Sequence, residues 1–230
     1  MGKVSGFKLE VSSCALSGHN GCGRCDHPGP APGFSDSPMT TRKVEVRTGG
    51  RGRRGHPGLG LLAGFIAIAW IIGLVDWNTD LNFTKYGVRP REPIGLLGVI
   101  LMPLLHSGWG HLMANTVALL GLGVIVILAE SRRFASTTLI LVLISGLGTW
   151  LIAEKGTNHI GASGLIYAYF GYIMARAIWG RRLVWAVVGI VVAVAYGGMI
   201  GGIFPEGDHI SWEAHLAGLL GGVWLGQRHA

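Results

Sequence analysis

Two short motifs carry the residue types of a hydrolytic site. Ser163 lies in Gly161-Ala162-Ser163-Gly164, which opens one apolar stretch, and His215 lies in Ala214-His215-Leu216-Ala217-Gly218, which opens another. A serine hydroxyl is a weak nucleophile until a base accepts its proton, and neutral imidazole suits that task near pH 7. At matching depths of two membrane helices, this pair would serve to cut a peptide bond inside a bilayer. Each motif also has a plainer reading. Gly-Ala-Ser-Gly in a membrane helix is a close-packing surface, because small residues let neighbouring backbones approach. An intramembrane histidine is the sharper signal, since ionisable groups there are costly and mark a functional interior.

A third motif supplies hydrogen-bond donors. In His106-Ser107-Gly108-Trp109-Gly110-His111-Leu112-Met113-Ala114-Asn115, His111 and Asn115 are four residues apart and share one helix face. Asn115 either glues its helix to a neighbour or joins His111 in facing the oxygen that turns negative when serine attacks a carbonyl. No acidic residue lies near Ser163 or His215 within an apolar segment, and Glu213, two positions from His215, points elsewhere on a helix. A Ser–His dyad is therefore the economical assignment. No His-Glu-x-x-His run occurs, which excludes that metalloprotease chemistry. The dyad calls for neither metal nor cofactor.

These motifs need membrane helices to position them. Half the residues are hydrophobic and 13% are charged, mean hydropathy is +0.47, and apolar runs of membrane length recur after residue 58. This is an all-α, polytopic membrane protein. Its net charge of +7 reports orientation in the bilayer and gives no reason to expect nucleic acid. The uncharged segments are Leu59–Val75, Leu112–Ala129, Phe134–Ala153, Ile160–Ala175, Leu183–Phe204 and Ala214–Gly226. Spanning takes about 20 apolar residues, so the fourth and sixth are short. Part of each must then face protein or a water-filled cavity, and that is where Ser163 and His215 lie.

A further run, Ile94–Leu105, has twelve residues with Pro103 near its end, which suits an interfacial or re-entrant segment. Charge counting favours six spans. With a cytoplasmic N-terminus the inner side receives Arg132, Arg133, Arg176, Arg181, Arg182, Arg228 and nine basic residues of the N-terminal tail, and the outer side keeps Lys85, Arg89, Arg91 and Lys155. Counting Ile94–Leu105 as a span would put the arginine pairs outside, against the positive-inside rule. Both termini are therefore expected in the cytoplasm, with Ser163 and His215 near the outer face.

Residues 1–58 are rich in Gly, Ser, Pro and Arg without apolar periodicity, the composition of a disordered basic tail. They hold all three cysteines, in Cys14-x7-Cys22-x2-Cys25 beside His19 and His27. That set offers zinc ligands, but the second pair lacks the usual spacing, so disordered thiols are the reading taken. A composition shift at Met39 allows translation to begin there, and the basic stretch Thr41–Arg54 suits anionic lipid headgroups. Residues 59–230 form the membrane domain.

Taken together, these residues resemble the rhomboid family of intramembrane serine proteases, with the motifs in family order over Leu59–Gln227. The resemblance implies a rhomboid-like bundle of six transmembrane helices with a half-submerged first outer loop, for which Ile94–Leu105 is the candidate. It implies Ser163 as nucleophile, His215 as general base, and His111 and Asn115 as the oxyanion-stabilising pair. Gly161 and Gly164 flank the nucleophile, and Tyr167, four residues after it, matches the tyrosine that packs on the catalytic histidine. The chain departs from the family's Trp-Arg pair in the first outer loop, with Leu97-Gly98 in that place. The implied activity is cleavage of single-span membrane proteins near the outer face of the cell membrane, without cofactor. The alternative is a non-catalytic rhomboid-like protein acting as chaperone or adaptor. A small transporter would need polar or broken helices at mid-bilayer or paired halves, and neither is evident. Gly197, Gly198, Gly201 and Gly202 are expected to loosen the outer end of the fifth helix, or else to pack it.

Overall fold

A computed structural model of the chain describes residues 57–205 and 210–230. The tail with its three cysteines, Met39 and the acidic part of the loop before the last segment lie outside the described residues. Seven α-helices follow in order: α1 (Pro57–Asn78), α2 (Gly95–Leu101), α3 (Trp109–Ala129), α4 (Phe134–Ile152), α5 (Ser163–Trp179), α6 (Leu183–Tyr196) and α7 (Trp212–Arg228). No strand appears among the described residues. Helix α1 takes in Pro57 and Gly58, which composition alone assigns to the tail. Proline suits a first helical position because the missing N–H has no partner there, and Gly58 is buried against Ile127 and Phe134.

Among the described residues, four stretches are long and apolar enough to cross a bilayer: Pro57–Asn78, Trp109–Ala129, Phe134–Ile152 and Leu183–Ile203. The last joins α6 to the 3-10 turns Gly197–Ile203. Helices α5 and α7 have 17 residues each and fall short of that length. The α6 surface is apolar and open, with Leu183 80% and Val194 83% exposed, an arrangement suited to lipid and unfavourable in water.

Helix α5 can be short because protein surrounds it. Its residues Gly164–Ile173 are all buried, and α3, α4, α6 and α7 pack around it. The α5–α7 pair is the most extensive contact in the fold, and glycine makes it possible. A Cβ on Gly218 would collide with the Gly164 carbonyl, and one on Gly222 with the Ala168 carbonyl. Gly226 repeats the pattern against Tyr172, where a Cβ would lie 2.6 Å from its carbonyl oxygen. The interval of four keeps these glycines on one face.

The ends of α5 differ in chemistry. At the C-terminal end Arg176 donates to Glu130 at 2.9 Å, Tyr172 donates to the same oxygen at 2.9 Å, and Arg176 also reaches the His229 carbonyl. This mostly buried cluster ties α3, α5 and the end of α7 together. At the N-terminal end lies Ser163.

The run Ile94–Leu105 forms α2 and a 3-10 turn, Met102–Leu104, too short to span. Its Ile94, Leu96, Leu97 and Ile100 are exposed while Gly95, Gly98 and Val99 are buried. With Leu97-Gly98 in place of a Trp-Arg pair, its anchors come from other positions. Arg91 donates to the Leu151 and Ala153 carbonyls at 2.8 and 2.7 Å, and Trp150 donates to the Glu92 carbonyl at 2.9 Å. Gly98 lies so close to Gly87 that a side chain there would overlap backbone.

Candidate active site

Ser163 is the first residue of α5, and its hydroxyl lies 2.8 Å from His215 Nε2 on the first turns of α7. The close α5–α7 packing creates this contact between residues 52 apart in sequence. Gly164 is part of the cause. A Cβ there would overlap Ser145 Oγ and come 3.2 Å from the Ala214 carbonyl, and Ser145 itself donates to that carbonyl at 3.1 Å. Helices α4, α5 and α7 are thereby locked together one turn from the Ser163–His215 contact.

The other side of the imidazole is held by backbone. His215 Nδ1 lies 2.7 Å from the Gly202 carbonyl, an acceptor only, so Nδ1 carries the proton and Nε2 is free to accept one from Ser163. The Tyr167 ring stacks on the imidazole, centroids 4.1 Å apart and planes within 8°, and its hydroxyl donates to the Met199 carbonyl. Gly202 and Met199 belong to the 3-10 turns after α6. The glycine-rich run leaves the α-helix for 3-10 turns, and these bring two carbonyls to the site. A carboxylate orienter is absent from the contacts of His215 among the described residues. The sequence signal for Gly202 was only the clustering of glycines, because a carbonyl looks alike at every position.

Gly161 completes the serine's side. Its φ of +111° lies in the region that favours glycine, and its N–H donates to the Met102 carbonyl at 2.8 Å, fastening the serine loop to the first outer loop. A Cβ on Gly161 would lie 2.7 Å from His111 Nε2 and 3.5 Å from Asn115 Nδ2. Both donors of α3 therefore stand beside the residue two before Ser163. Asn115 Nδ2 donates to His106 Nε2 at 3.0 Å, and His106 Nδ1 lies 3.4 Å from the Leu104 carbonyl. The tautomer with its proton on Nδ1 satisfies both contacts. Ser107 Oγ lies 3.3 Å from His111 Nδ1; with the hydroxyl donating, His111 carries its proton on Nε2, the atom facing Gly161. His106 thus orients Asn115, a role its place in the sequence does not reveal.

Beside these residues opens a polar-walled cavity of about 760 Å³, lined among others by His111, Glu154, His159, Ser211 and Glu213. His159, in the loop before α5, ties that loop to the first outer loop and to the start of α7. Its backbone pairs with Val88 through two 2.9 Å hydrogen bonds, and its Nδ1 lies 2.8 Å from Ser211 Oγ, just before α7. Burial lowers its pKa below 6.5, outweighing the opposite pull of Glu213, so the ring is neutral at pH 7. The described residues contain no group of three or more His, Cys, Asp or Glu able to hold a metal ion.

The Rhomboid domain family model matches residues 95–228. An uncharacterized protein of Mycobacterium tuberculosis is 40% identical over 167 residues, 69% of this chain and 70% of that protein. An uncharacterized protein of Mycobacterium leprae is 35% identical over 189 residues, covering 79% of this chain and 74% of its own length. The Bacillus subtilis protein named "Putative rhomboid protease YdcA" is 25% identical over 183 residues, 74% of this chain and 87% of that protein.

Proposed function

The chain belongs to the rhomboid family, and on that premise we propose that it is an intramembrane serine endopeptidase that cleaves transmembrane segments of single-span membrane proteins near the outer face. The observation that carries this reading is the Ser163 Oγ to His215 Nε2 contact of 2.8 Å, with the far ring nitrogen bonded to Gly202. As Ser163 attacks the scissile carbonyl, its proton passes to Nε2. The imidazolium then donates from Nδ1 to the Gly202 carbonyl in a charge-assisted hydrogen bond, while Tyr167 keeps the ring in plane. Asn115 Nδ2, His111 Nε2 and the backbone at the start of α5 are donors for the oxyanion. Collapse of the tetrahedral intermediate breaks the C–N bond, and Nε2 returns its proton to the leaving amine. Water, admitted through the open cavity, then hydrolyses the acyl-serine by the same steps.

The membrane arrangement follows from length and charge. Seventeen residues of α5 rise roughly 25 Å against a hydrocarbon core of about 30 Å, so a helix starting at Ser163 leaves its N-terminus below the outer surface. We place α1, α3, α4, α5, α6 and α7 across the cell membrane, with α2 half-submerged beside the site and both termini cytoplasmic. No cofactor takes part.

The purified full chain in detergent should cleave a single-span substrate near its outer boundary. Ser163→Ala and His215→Ala should each abolish cleavage, and the double variant should be little worse, since members of one catalytic unit are strongly non-additive. A mechanism-based serine reagent should label Ser163 only while His215 is present. Proteolysis retained in well-folded Ser163→Ala would sink the assignment and leave a non-catalytic chaperone or adaptor as the better reading.

A further inference from the structure

A second opening lies in the side of the bundle, away from Ser163. Helices α1 and α4 hardly touch, and between them runs an apolar groove of about 290 Å³. Leu61 and Phe65 form one wall, Ala135 and Leu139 the other, Leu165 the floor, and Ile100 of α2 closes the far end. Leu61, Leu139 and Ile100 are exposed. The only hydroxyls of the lining, Thr138 and Tyr169, bond each other at 2.7 Å, so the groove asks for no polar partner. Both walls belong to helices of membrane length, where an empty groove would forfeit dispersion contacts. A helix about 10–12 Å across would fill this volume within roughly two residues of its length. The space therefore suits a hydrocarbon chain and not a partner's helix.

Hydrocarbon contact alone gives such a groove no preference among lipids, because the surrounding bilayer is equally apolar. Charge at its mouth does. Phe134 and Ala135, at the near end, open α4 and directly follow Arg132 and Arg133, both of which are exposed. Neither arginine makes an ion pair among the described residues. Glu130, the nearest carboxylate in sequence, is committed to Arg176 and Tyr172. The start of α1 lies at the same end, with Gly58 against Phe134. We propose that the groove binds an anionic phospholipid, with one acyl chain between α1 and α4 and the phosphate on Arg132 and Arg133. A guanidinium fork matches phosphate geometry. In the orientation given above the lipid belongs to the cytoplasmic leaflet, whose anionic headgroups attract basic residues beside membrane helices. The inference rests on the membrane placement of α1 and α4 and not on cleavage.

The test uses the full chain in detergent with phosphatidylglycerol or phosphatidylcholine of identical acyl chains, and native mass spectrometry reads the lipid retained. Phosphatidylglycerol should be favoured by roughly five- to thirtyfold, the effect of one to two arginines beside a headgroup. Arg132→Gln combined with Arg133→Gln should bring that ratio towards one. Arg181→Gln combined with Arg182→Gln, the same change of charge in the loop before α6, should leave it intact. Ala135→Trp, which fills the mouth from an exposed position, should lower retention of both lipids. A phosphatidylglycerol with a photoreactive acyl chain gives a readout on the unaltered chain and should label groove residues such as Phe65 or Leu139. Equal retention of the two lipids overturns the proposal, as does a ratio that survives loss of Arg132 and Arg133. An equal fall on replacing Arg181 and Arg182, or labelling confined to other faces, overturns it too. Lipid retention unchanged in Ala135→Trp, with loss of a dimer formed by the unaltered chain, would assign the groove to a second copy and refute the lipid site.

Discussion

Adding a single methyl group at Gly202 should slow the proposed cleavage by more than the loss of folded protein accounts for. A Cβ there would overlap the Tyr167 hydroxyl and sit 3.2 Å from His215 Nδ1. Neither neighbour yields easily. The tyrosine ring is stacked on His215 and its hydroxyl is bonded to Met199, while Nδ1 is held 2.7 Å from the Gly202 carbonyl itself. Relief therefore moves the carbonyl, the tyrosine or the imidazole. A neutral hydrogen bond contributes about 1 kcal/mol and one to a charged group about 1.5–3 kcal/mol. The His215–Gly202 bond belongs to the second kind only once the imidazole is protonated in the transition state. The selective part is the difference, about 1–2 kcal/mol, and losing it corresponds to a roughly five- to thirtyfold fall in kcat/KM. The assay is cleavage of a single-span fluorogenic substrate in detergent, with thermal unfolding measured alongside. Gly201→Ala is the matched control, because a Cβ at Gly201 meets nothing within 4 Å, and it should stay within about twofold of the unaltered chain. Full activity in Gly202→Ala would refute the role of this carbonyl. An equal loss in Gly201→Ala would show that the 3-10 segment as a whole, not the Gly202 contact, is what matters.

Asn115→Ala should lower kcat by about 10²–10³-fold without loss of folding, and His106→Ala, which frees the Asn115 amide, should give a smaller loss; unfolding of Asn115→Ala with no selective rate effect would favour a helix-glue role. Burial chiefly, with His111 adding and the Leu104 carbonyl opposing, lowers the His106 pKa from 6.5 to about 4. The unfolded chain then takes up this proton first as pH falls, so stability present above pH 6.5 should be lost down to about 4. The thermal midpoint should track that window, and less so in His106→Gln. Gly222→Ala should destabilise by about 1–3 kcal/mol through overpacking against the Ala168 backbone, whereas Gly64→Ala, which meets nothing within 4 Å, should not; equal midpoints would refute the close α5–α7 packing. Cysteines engineered at Lys155 and Asn158, both exposed, should react with an impermeant reagent added outside, and those at Arg132 and Arg133 should not. The reverse pattern would overturn the proposed orientation.

Much of this protein is decided locally and can be read from the chain. Apolar runs and their lengths mark membrane helices because the bilayer acts on each segment separately, and α1, α3 and α4 end within about three residues of their apolar segments. The shortness of the segments bearing Ser163 and His215 already signals helices that face protein, and the four-residue interval of Ala214, Gly218 and Gly222 already signals the surface that meets α5. The types of Ser163, His215, His111, Asn115 and Tyr167 announce a chemistry before any distance is known. What tertiary structure alone decides is carried by groups without a sequence signature or by partners far apart in the chain. The orienting acceptor for His215 is a backbone carbonyl, and only the collapse of α6 into 3-10 turns brings Gly202 to it. His106 reaches Asn115 because a loop folds back over α3, and Arg91 and Trp150 anchor the first outer loop from opposite sides of a 60-residue separation. Glu213 looks turned away from the dyad along the helix, as two positions on an α-helix require. The fold seals one oxygen of its carboxyl group from solvent, because the packing of α7 against its neighbours, and not the periodicity of the helix, determines what that face meets.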